Sequence, residues 1–316
     1  MKPYFSIIIP VAPNRSAEVL SSVKQLDFPK SQYEVIVERG TNPSRNRNIG
    51  AKKAKGEVLC FLDDDAIVPK GLLKEAKKIM DSKHHLAKDY PNYDIAILGG
   101  PQLTPPDDKW FPKLCGEVLA SKFGSLSMAD RYRQGKENLN ADENLLTSAI
   151  MFVRAKAFKD IGGFNESLFP GEDPEFLARA KQKGYRIAYS PDIYIWHRRR
   201  PTLMKYLQQM FSYGQTRVSK ESSAKSEGLK GLLFYIPMLF SLYIIMLFIP
   251  VPSFLNSFLL IPLIVYLALA MSASSLAAYK TEKGWYFIAM TIMFFITHLT
   301  YGLGMLDGWL NKCIKI

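Results

Sequence analysis

Hydrophobic and polar positions follow two different patterns along the chain. From Phe5 to about residue 197, short apolar, β-branched runs alternate with stretches whose apolar residues recur at helical spacing. That order predicts an α/β domain of mostly parallel strands with helices on both faces. Strands are expected at 5–11, 33–37, 57–62, 95–98, 149–153 and 187–189. They are nearly continuously apolar, as strands buried on both faces are. Helices are expected between them, at 17–26, 47–55, 71 to about 85, 155–161 and 174–183. Open sheets of this kind bind ligands beyond the carboxyl ends of their strands, so polar residues directly after a strand are the first candidates for function.

After residue 230 the pattern changes. From 231 to 279 there is no Asp, Glu, Lys or Arg. One membrane span needs about 20 apolar residues, so the run predicts two, near 231–250 and 254–276, with Pro250 and Pro252 at the turn. A third uncharged run, 285–306, opens with Trp285 and Tyr286 directly after Lys280, Glu282 and Lys283, the interfacial signature of a span. Buried helices of a soluble core are the competing reading, which the length of the run disfavours. The expected organisation is an α/β domain over 1–200, a basic amphipathic juxtamembrane segment over 201–230, and a membrane domain with three spans over 231–316. The start, MKPYFSIIIPV, enters a strand at once and lacks the regions of a cleavable signal, so targeting falls to the C-terminal spans.

Charge refines this picture. The 316 residues carry a net charge of +12, and residues 198–230 hold eight basic residues against two acidic ones. Basic flanks mark the cytoplasmic side, so the expectation is a multi-pass protein of the cell (inner) membrane with its N-terminal domain in the cytoplasm. No nucleic-acid recognition motif accompanies the charge, and no nucleic-acid partner is expected. Cys60, Cys115 and Cys313 form neither a metal spacing nor a disulfide framework, in keeping with a reducing compartment.

Candidate chemistry begins at Asp63, Asp64 and Asp65, which end the strand EVLCFL. Three adjacent carboxylates repel one another, and a hard divalent cation, Mg2+ or Mn2+, would relieve that repulsion. In an extended chain Asp63 and Asp65 share a side and Asp64 points elsewhere; a solvated acidic turn is the alternative. Glu172 and Asp173 precede Pro174, which suits a first helical position and would make Asp173 an N-cap. A capping carboxylate can still accept a proton through its second oxygen. His197, after IYIW, either completes a metal site or is a polar residue at a strand end. Arg45, Arg47 and Asn48 either grip a diphosphate or form a solvated helix face. Gly99 and Gly100 allow close approach of a ligand or form an ordinary turn. His84 and His85 read as surface residues. His298, inside the third apolar run, is expected to make an interhelical hydrogen bond, and Gly302, Gly304 and Gly308 suggest close helix contact.

Taken in order, FSIIIPV, SRNRNIGAKKAKGEVLCFLDDDAIVP, AFKDIGGFNESLFPGEDPEFLARAKQKGYRIAYSP and RRRPTLMKYLQQMFSYGQTR resemble the family 2 glycosyltransferases of the GT-A fold. The likeness covers about residues 5–220 and is nearest to the succinoglycan-synthesis-type, membrane-anchored branch. The resemblance implies that Asp63 and Asp65 form a DxD motif, with Asp65 a direct metal ligand, and that His197 is a metal-associated histidine. It implies that Asp173 is the catalytic base of a Glu-Asp motif shared with Glu172. Pro10, Glu38, Arg47, Asp63, Asp64 and Gly100 are the positions expected around the donor. Glu38 stands where relatives often carry a base-reading aspartate, so the nucleotide stays open between UDP and GDP. The Gln-x-x-Arg-Trp signature of processive synthases is absent, with Gln209 and Arg217 a looser echo, which implies single additions. The expected reaction is an inverting, metal-dependent transfer from a nucleotide sugar in polysaccharide or glycoconjugate synthesis. The spans and the basic helix expected over 202–219, which would hold the site near the bilayer, point to a lipid-linked acceptor, with soluble or protein acceptors as the alternative. Alternatives are transfer to a polyprenyl phosphate, a sugar-phosphate nucleotidyltransferase, and a non-enzymatic membrane scaffold or transporter subunit.

Overall fold

A computed structural model describes residues 2–82, 95–218, 233–250 and 252–314. In chain order the elements are β1 (Phe5–Val11), α1 (Val19–Val23), β2 (Tyr33–Arg39), α2 (Pro43–Lys53), β3 (Val58–Leu62), β4 (Ala66–Ile67), α3 (Leu72–Asp81), β5 (Ile97–Gly99) and β6 (Gln102–Leu103). There follow α4 (Trp110–Ala120), α5 (Lys122–Ser125), β7 (Ile150–Arg154), α6 (Ala155–Ile161), α7 (Glu172–Gln182), β8 (Ile187–Tyr189) and β9 (Ile195–His197). Last come α8 (Leu203–Arg217), α9 (Ile236–Met246), α10 (Ser253–Thr281) and α11 (Trp285–Ile314). The chain divides into two compact units, one of residues 1–106 and 130–198, the other of 107–129 and 199–316.

The first unit is built on a six-stranded sheet in the order β2-β1-β3-β7-β5-β8. β2, β1 and β3 run parallel, as do β5 and β8, while β7 lies antiparallel between β3 and β5. β1 is buried along its whole length, with Phe5, Ile7, Ile9 and Val11 in one hydrophobic core and Ile8 in the other. Its unbroken FSIIIPV run therefore reflects a strand covered on both faces. A second sheet, β4-β9-β6, joins strands of two or three residues. In it Ala66 pairs with His197, which brings the end of the IYIW segment beside the acidic turn.

Three expectations are corrected. α2 starts at Pro43, four residues before the predicted start, because Asn42 caps it by accepting from the Arg45 N–H at 2.9 Å. α7 starts at Glu172 behind Gly171, whose φ is 117°, so Asp173 lies in the first turn and does not cap the helix. Residues 107–129, which carried no predicted element, contain α4 and α5. His84 and His85, and the predicted end of the third helix, lie outside the described residues, as do 219–230 of the basic segment.

In the second unit, α11 packs against α8, α9 and α10 through close backbone approaches and polar contacts. A Cβ on Gly214 would sit 2.1 Å from the Tyr301 carbonyl, one on Gly304 2.1 Å from that of Phe211, and one on Gly302 2.0 Å from that of Pro237. Such approaches need glycine. Tyr206 Oη meets Thr297 Oγ1 at 3.0 Å, and Gln215 donates to Asp307 at 2.7 Å. His298 makes its expected interhelical hydrogen bond, Nδ1 to Tyr266 Oη at 2.9 Å. Ser257–Tyr279 and Trp285–Ile314 are long and apolar enough to cross a bilayer. The first predicted span is represented among the described residues by α9, whose 11 residues reach only about 16 Å.

Candidate functional site

The carboxyl ends of β1, β2 and β3, the N-terminus of α7 and the end of β9 supply the candidate residues. β3 delivers Asp63 into the turn before β4, and the antiparallel pairing of β4 with β9 sets His197 opposite Ala66. One ligand atom from each of Asp63, Asp65 and His197 falls within 4.8 Å of the others. His197 Nε2 lies 3.1 Å from Asp65 Oδ1 and 3.7 Å from Asp63 Oδ2. Asp64 stands outside this group, though not through the alternation of an extended chain: the Ala66 N–H donates to the Asp63 carbonyl at 3.2 Å and closes a turn, and the Asp64 carboxylate meets Arg15 Nη2 at 3.2 Å.

Arg47 ties this cluster to the second acidic pair. Its Nη2 is 2.9 Å from Asp63 Oδ1 and its Nη1 is 2.9 Å from Glu172 Oε1, and the side chains of Arg47 and Glu172 are 4% and 5% exposed. The Gly171 N–H donates to the other Glu172 oxygen at 3.0 Å. Asp173 is near enough for its charge to act on both Arg47 and Glu172. The loop before α7 is stitched to α2, since Asn48 accepts from the Phe164 N–H and donates to its carbonyl, and Asn42 donates to the Glu166 carbonyl. Arg179 holds the same loop through the carbonyls of Ile161 and Gly163, both at 2.6 Å.

Electrostatics separate the carboxylates. Burial alone would raise Asp63 and Asp65, but the His197 imidazole beside both, with Arg47 on Asp63 and Arg15 on Asp65, holds them below the ordinary aspartate value. Burial pushes Asp64 up to about 6, against the pull of Arg15. Glu172 rises to about 7, through burial first and the charge of Asp173 second, with Arg47 opposing. His197 goes the other way from a buried imidazole: burial disfavours its cation, yet Asp63 and Asp65 outweigh that and raise it to about 9.

Two carboxylates and one imidazole nitrogen make a donor set that fits a divalent cation. The same cluster holds three buried polar atoms without a hydrogen-bond partner among the described residues: Arg47 Nε, Asp173 Oδ1 and His197 Nδ1. Buried polar atoms are nearly always paired, so their concentration here fits a site completed by a ligand.

Other sequence candidates divide. Pro10 and Glu38 are register partners at the ends of β1 and β2, and Glu38 pairs with Lys53 at 2.7 Å. Arg45 is exposed and Asn48 is committed to the loop. At Gly100 a Cβ would lie 1.9 Å from the Ile193 carbonyl and 2.4 Å from that of Ser190. The close approach it permits is made by the chain itself. Arg15, which no motif marked, reaches the acidic turn from the loop after β1. Its signal was its position beyond the carboxyl end of a strand.

A family model described as "Glycosyltransferase like family 2" matches residues 2–215. The chain is 23% identical over 248 residues to Glycosyltransferase AglE of Haloferax volcanii, covering 68% of this chain and 73% of AglE. It is 30% identical over 110 residues to the poly(ribitol-phosphate) beta-N-acetylglucosaminyltransferase TarS of Staphylococcus aureus, covering 25% of this chain and 19% of TarS. Among solved structures, the mannosyltransferase PcManGT from Pyrobaculum calidifontis, in complex with GDP-Man and Mn2+, is similar with a TM-score of 0.55 and 15% identity. That likeness covers 99% of this chain and 88% of PcManGT.

Proposed function

The chain belongs to glycosyltransferase family 2 and has the GT-A fold, and on that premise we propose that it performs an inverting, metal-dependent sugar transfer from a nucleoside-diphosphate sugar to a lipid-linked acceptor. The scaffold and transporter readings are not favoured by this membership. The observation that carries the proposal is Arg47, which joins Asp63 to Glu172 by two contacts of 2.9 Å and so makes one site of the two acidic clusters.

In this reading Asp63, Asp65 and His197 hold Mg2+ or Mn2+, which when bound supplies positive charge to the leaving diphosphate. Arg47 keeps Asp63 oriented and its charge on the donor side of the site. Pro10 and Glu38, side by side in register, border the nucleotide. Asp173 takes the proton from the acceptor hydroxyl; its Oδ1, buried and without a partner among the described residues, is free to accept it. Glu172, raised to about 7, sits behind Asp173 as its neighbour in the motif and is positioned by Arg47. With one base and no nucleophile required, attack comes from the face opposite the diphosphate.

The acceptor class rests on the second unit. Two helices able to cross a bilayer and the basic segment before them would keep the site near a lipid carrier at the cytoplasmic face of the cell membrane. A multi-pass topology with 1–200 as the catalytic domain belongs to the same proposal, as does membership of the succinoglycan-type branch. The test is product analysis after membranes containing the protein are supplied with a panel of UDP- and GDP-sugars and Mn2+. A radiolabelled sugar should enter the lipid-extractable fraction; label found only in water-soluble product would exclude the lipid-linked acceptor.

A further inference from the structure

Arg15 lies outside the residues assigned above to donor, cation or base. Its Nη2 stands 2.8 Å from Asp65 Oδ2 and 3.2 Å from Asp64 Oδ1. The remaining oxygen of Asp65 faces His197 Nε2 at 3.1 Å. Both oxygens of Asp65 are thus engaged by basic groups, and a divalent cation that ligates Asp65 must compete with them.

The basic groups of the cluster differ in how firmly they are held. The Arg47 side chain is 4% exposed and spread between two carboxylates. His197 is 16% exposed and is itself one of the three candidate ligands. Arg15 is 51% exposed and touches Asp64 and Asp65 through one nitrogen. Its backbone, in contrast, is fixed. The Arg15 N–H donates to the Ala12 carbonyl at 3.1 Å, Arg39 Nη1 donates to the Arg15 carbonyl at 2.9 Å, and the Val19 N–H donates to the Asp64 carbonyl at 3.0 Å. A long side chain on a fixed backbone, loosely held at its tip, can move between two anionic partners without moving the loop.

We propose that Arg15 is an exchangeable counter-ion: it neutralises Asp65 and Asp64 in the cation-free protein, yields Asp65 when the divalent cation binds, and then engages the donor's diphosphate. This rests on the proposed cation and donor site. Once a dication sits on Asp65, the displaced guanidinium faces a like charge, and the incoming diphosphate relieves that repulsion. A guanidinium suits this second role because its planar fork matches phosphate oxygens. Arg15 would therefore oppose the cation alone and favour the cation with nucleotide, which makes it a positioning residue that couples the two ligands.

The test uses the full chain in detergent, as wild type, Arg15→Gln and Arg15→Lys. Mn2+ binding is followed by the spin-resonance signal of the free ion, and GDP and UDP binding at saturating Mn2+ by calorimetry. Arg15→Gln should bind Mn2+ alone about two- to fivefold more tightly, the scale of losing a partly exposed ion pair. It should bind the preferred nucleotide about tenfold more weakly, the scale of a charged hydrogen bond. Arg15→Lys should fall between wild type and Arg15→Gln in both measurements. Opposite shifts in the two affinities support the exchange, since general damage would weaken both. Unchanged affinities, or shifts in the same direction, would overturn it while leaving the site itself standing. A wild-type protein that binds neither Mn2+ nor nucleotide would remove the underlying site reading as well.

Discussion

Replacing Arg47 with methionine keeps an unbranched stem of similar reach and deletes the charge between Asp63 and Glu172. Both Arg47 contacts are 2.9 Å, and Glu172 is 5% exposed. Removing one partner of a buried pair leaves the other charge unpaired, at about 3–5 kcal/mol. For a domain of this size that lowers the melting temperature by about 6–20 °C. The loss should depend on pH, because Glu172 has a folded value of about 7, above its ordinary 4.5. A carboxylate raised in the folded state contributes stability that is full below the unfolded value and is lost as pH rises through the folded one. Arg47 opposes that rise, so deleting it moves the Glu172 value further up and deepens the loss at high pH. The gap between wild type and Arg47→Met should be wider at pH 8 than at pH 5, where Glu172 is protonated in both. With a wild-type value of about 7 the added part reaches at most about 1.4 kcal/mol at pH 8, and the remainder, from the lost Asp63 contact, is present at both. Thermal unfolding in detergent at the two pH values measures it, with Glu172→Gln added to remove the difference between the two pH values. An equal gap at pH 5 and pH 8, or a loss below about 1 kcal/mol at pH 8, would refute the reasoning, since lost contacts rather than an unpaired charge would then set the effect.

Other expectations follow from the same geometry. Asp173→Asn should lower transfer by about 10²–10⁴-fold, the usual weight of a general base, with nucleotide affinity nearly unchanged by calorimetry; surviving transfer with lost nucleotide binding would reverse the roles of Asp173 and Asp65. His197 must be neutral to ligate, and Asp63 and Asp65 raise it to about 9 against the effect of burial. Mn2+ affinity should therefore climb by up to about tenfold per pH unit between pH 6.5 and 8.5, and His197→Ala should bind more weakly and with a shallower slope; a flat wild-type profile would sink the assignment. In the second unit, Gly304→Ala places a Cβ 2.1 Å from the Phe211 carbonyl and should cost about 1–3 kcal/mol of stability. Gly284→Ala, with nothing within 4 Å of its Cβ, is the control in the same melting experiment, and equal melting temperatures for the two variants would contradict the α8–α11 contact.

Much of the fold was legible because burial on both faces leaves an unmistakable run of apolar residues. β1 and β8 match their predicted bounds, β3 starts one residue late, and β7 is shifted by one residue at both ends. The small sheet was illegible, since strands as short as Ala66–Ile67 and Gln102–Leu103 are too brief to show a period. α4 was missed for a different reason. Its sequence, WFPKLCGEVLA, mixes a proline, a glycine and charges with its apolar residues, and what makes it helical is the contact it finds within the second unit.

The site divides in the same way. Local sequence marked Asp63 and Asp65 as candidates, because turns seldom need three adjacent carboxylates, but left Asp173 between base and N-cap and His197 between ligand and strand-end polar residue until the family resemblance gave them roles. The uncharged stretch after residue 230 declared its apolar helices by length alone. Tertiary structure alone decided that Arg47, 16 residues from Asp63, reaches Glu172 across 125 residues of chain, that Arg15 reaches Asp65 across 50, and that Gly100 packs against the chain's own backbone. A residue's type and its immediate neighbours act through bonds and short spacings, which the order of residues records directly. Ion pairs and close approaches between distant segments exist only once the sheet has set its strand order, and no local pattern encodes that.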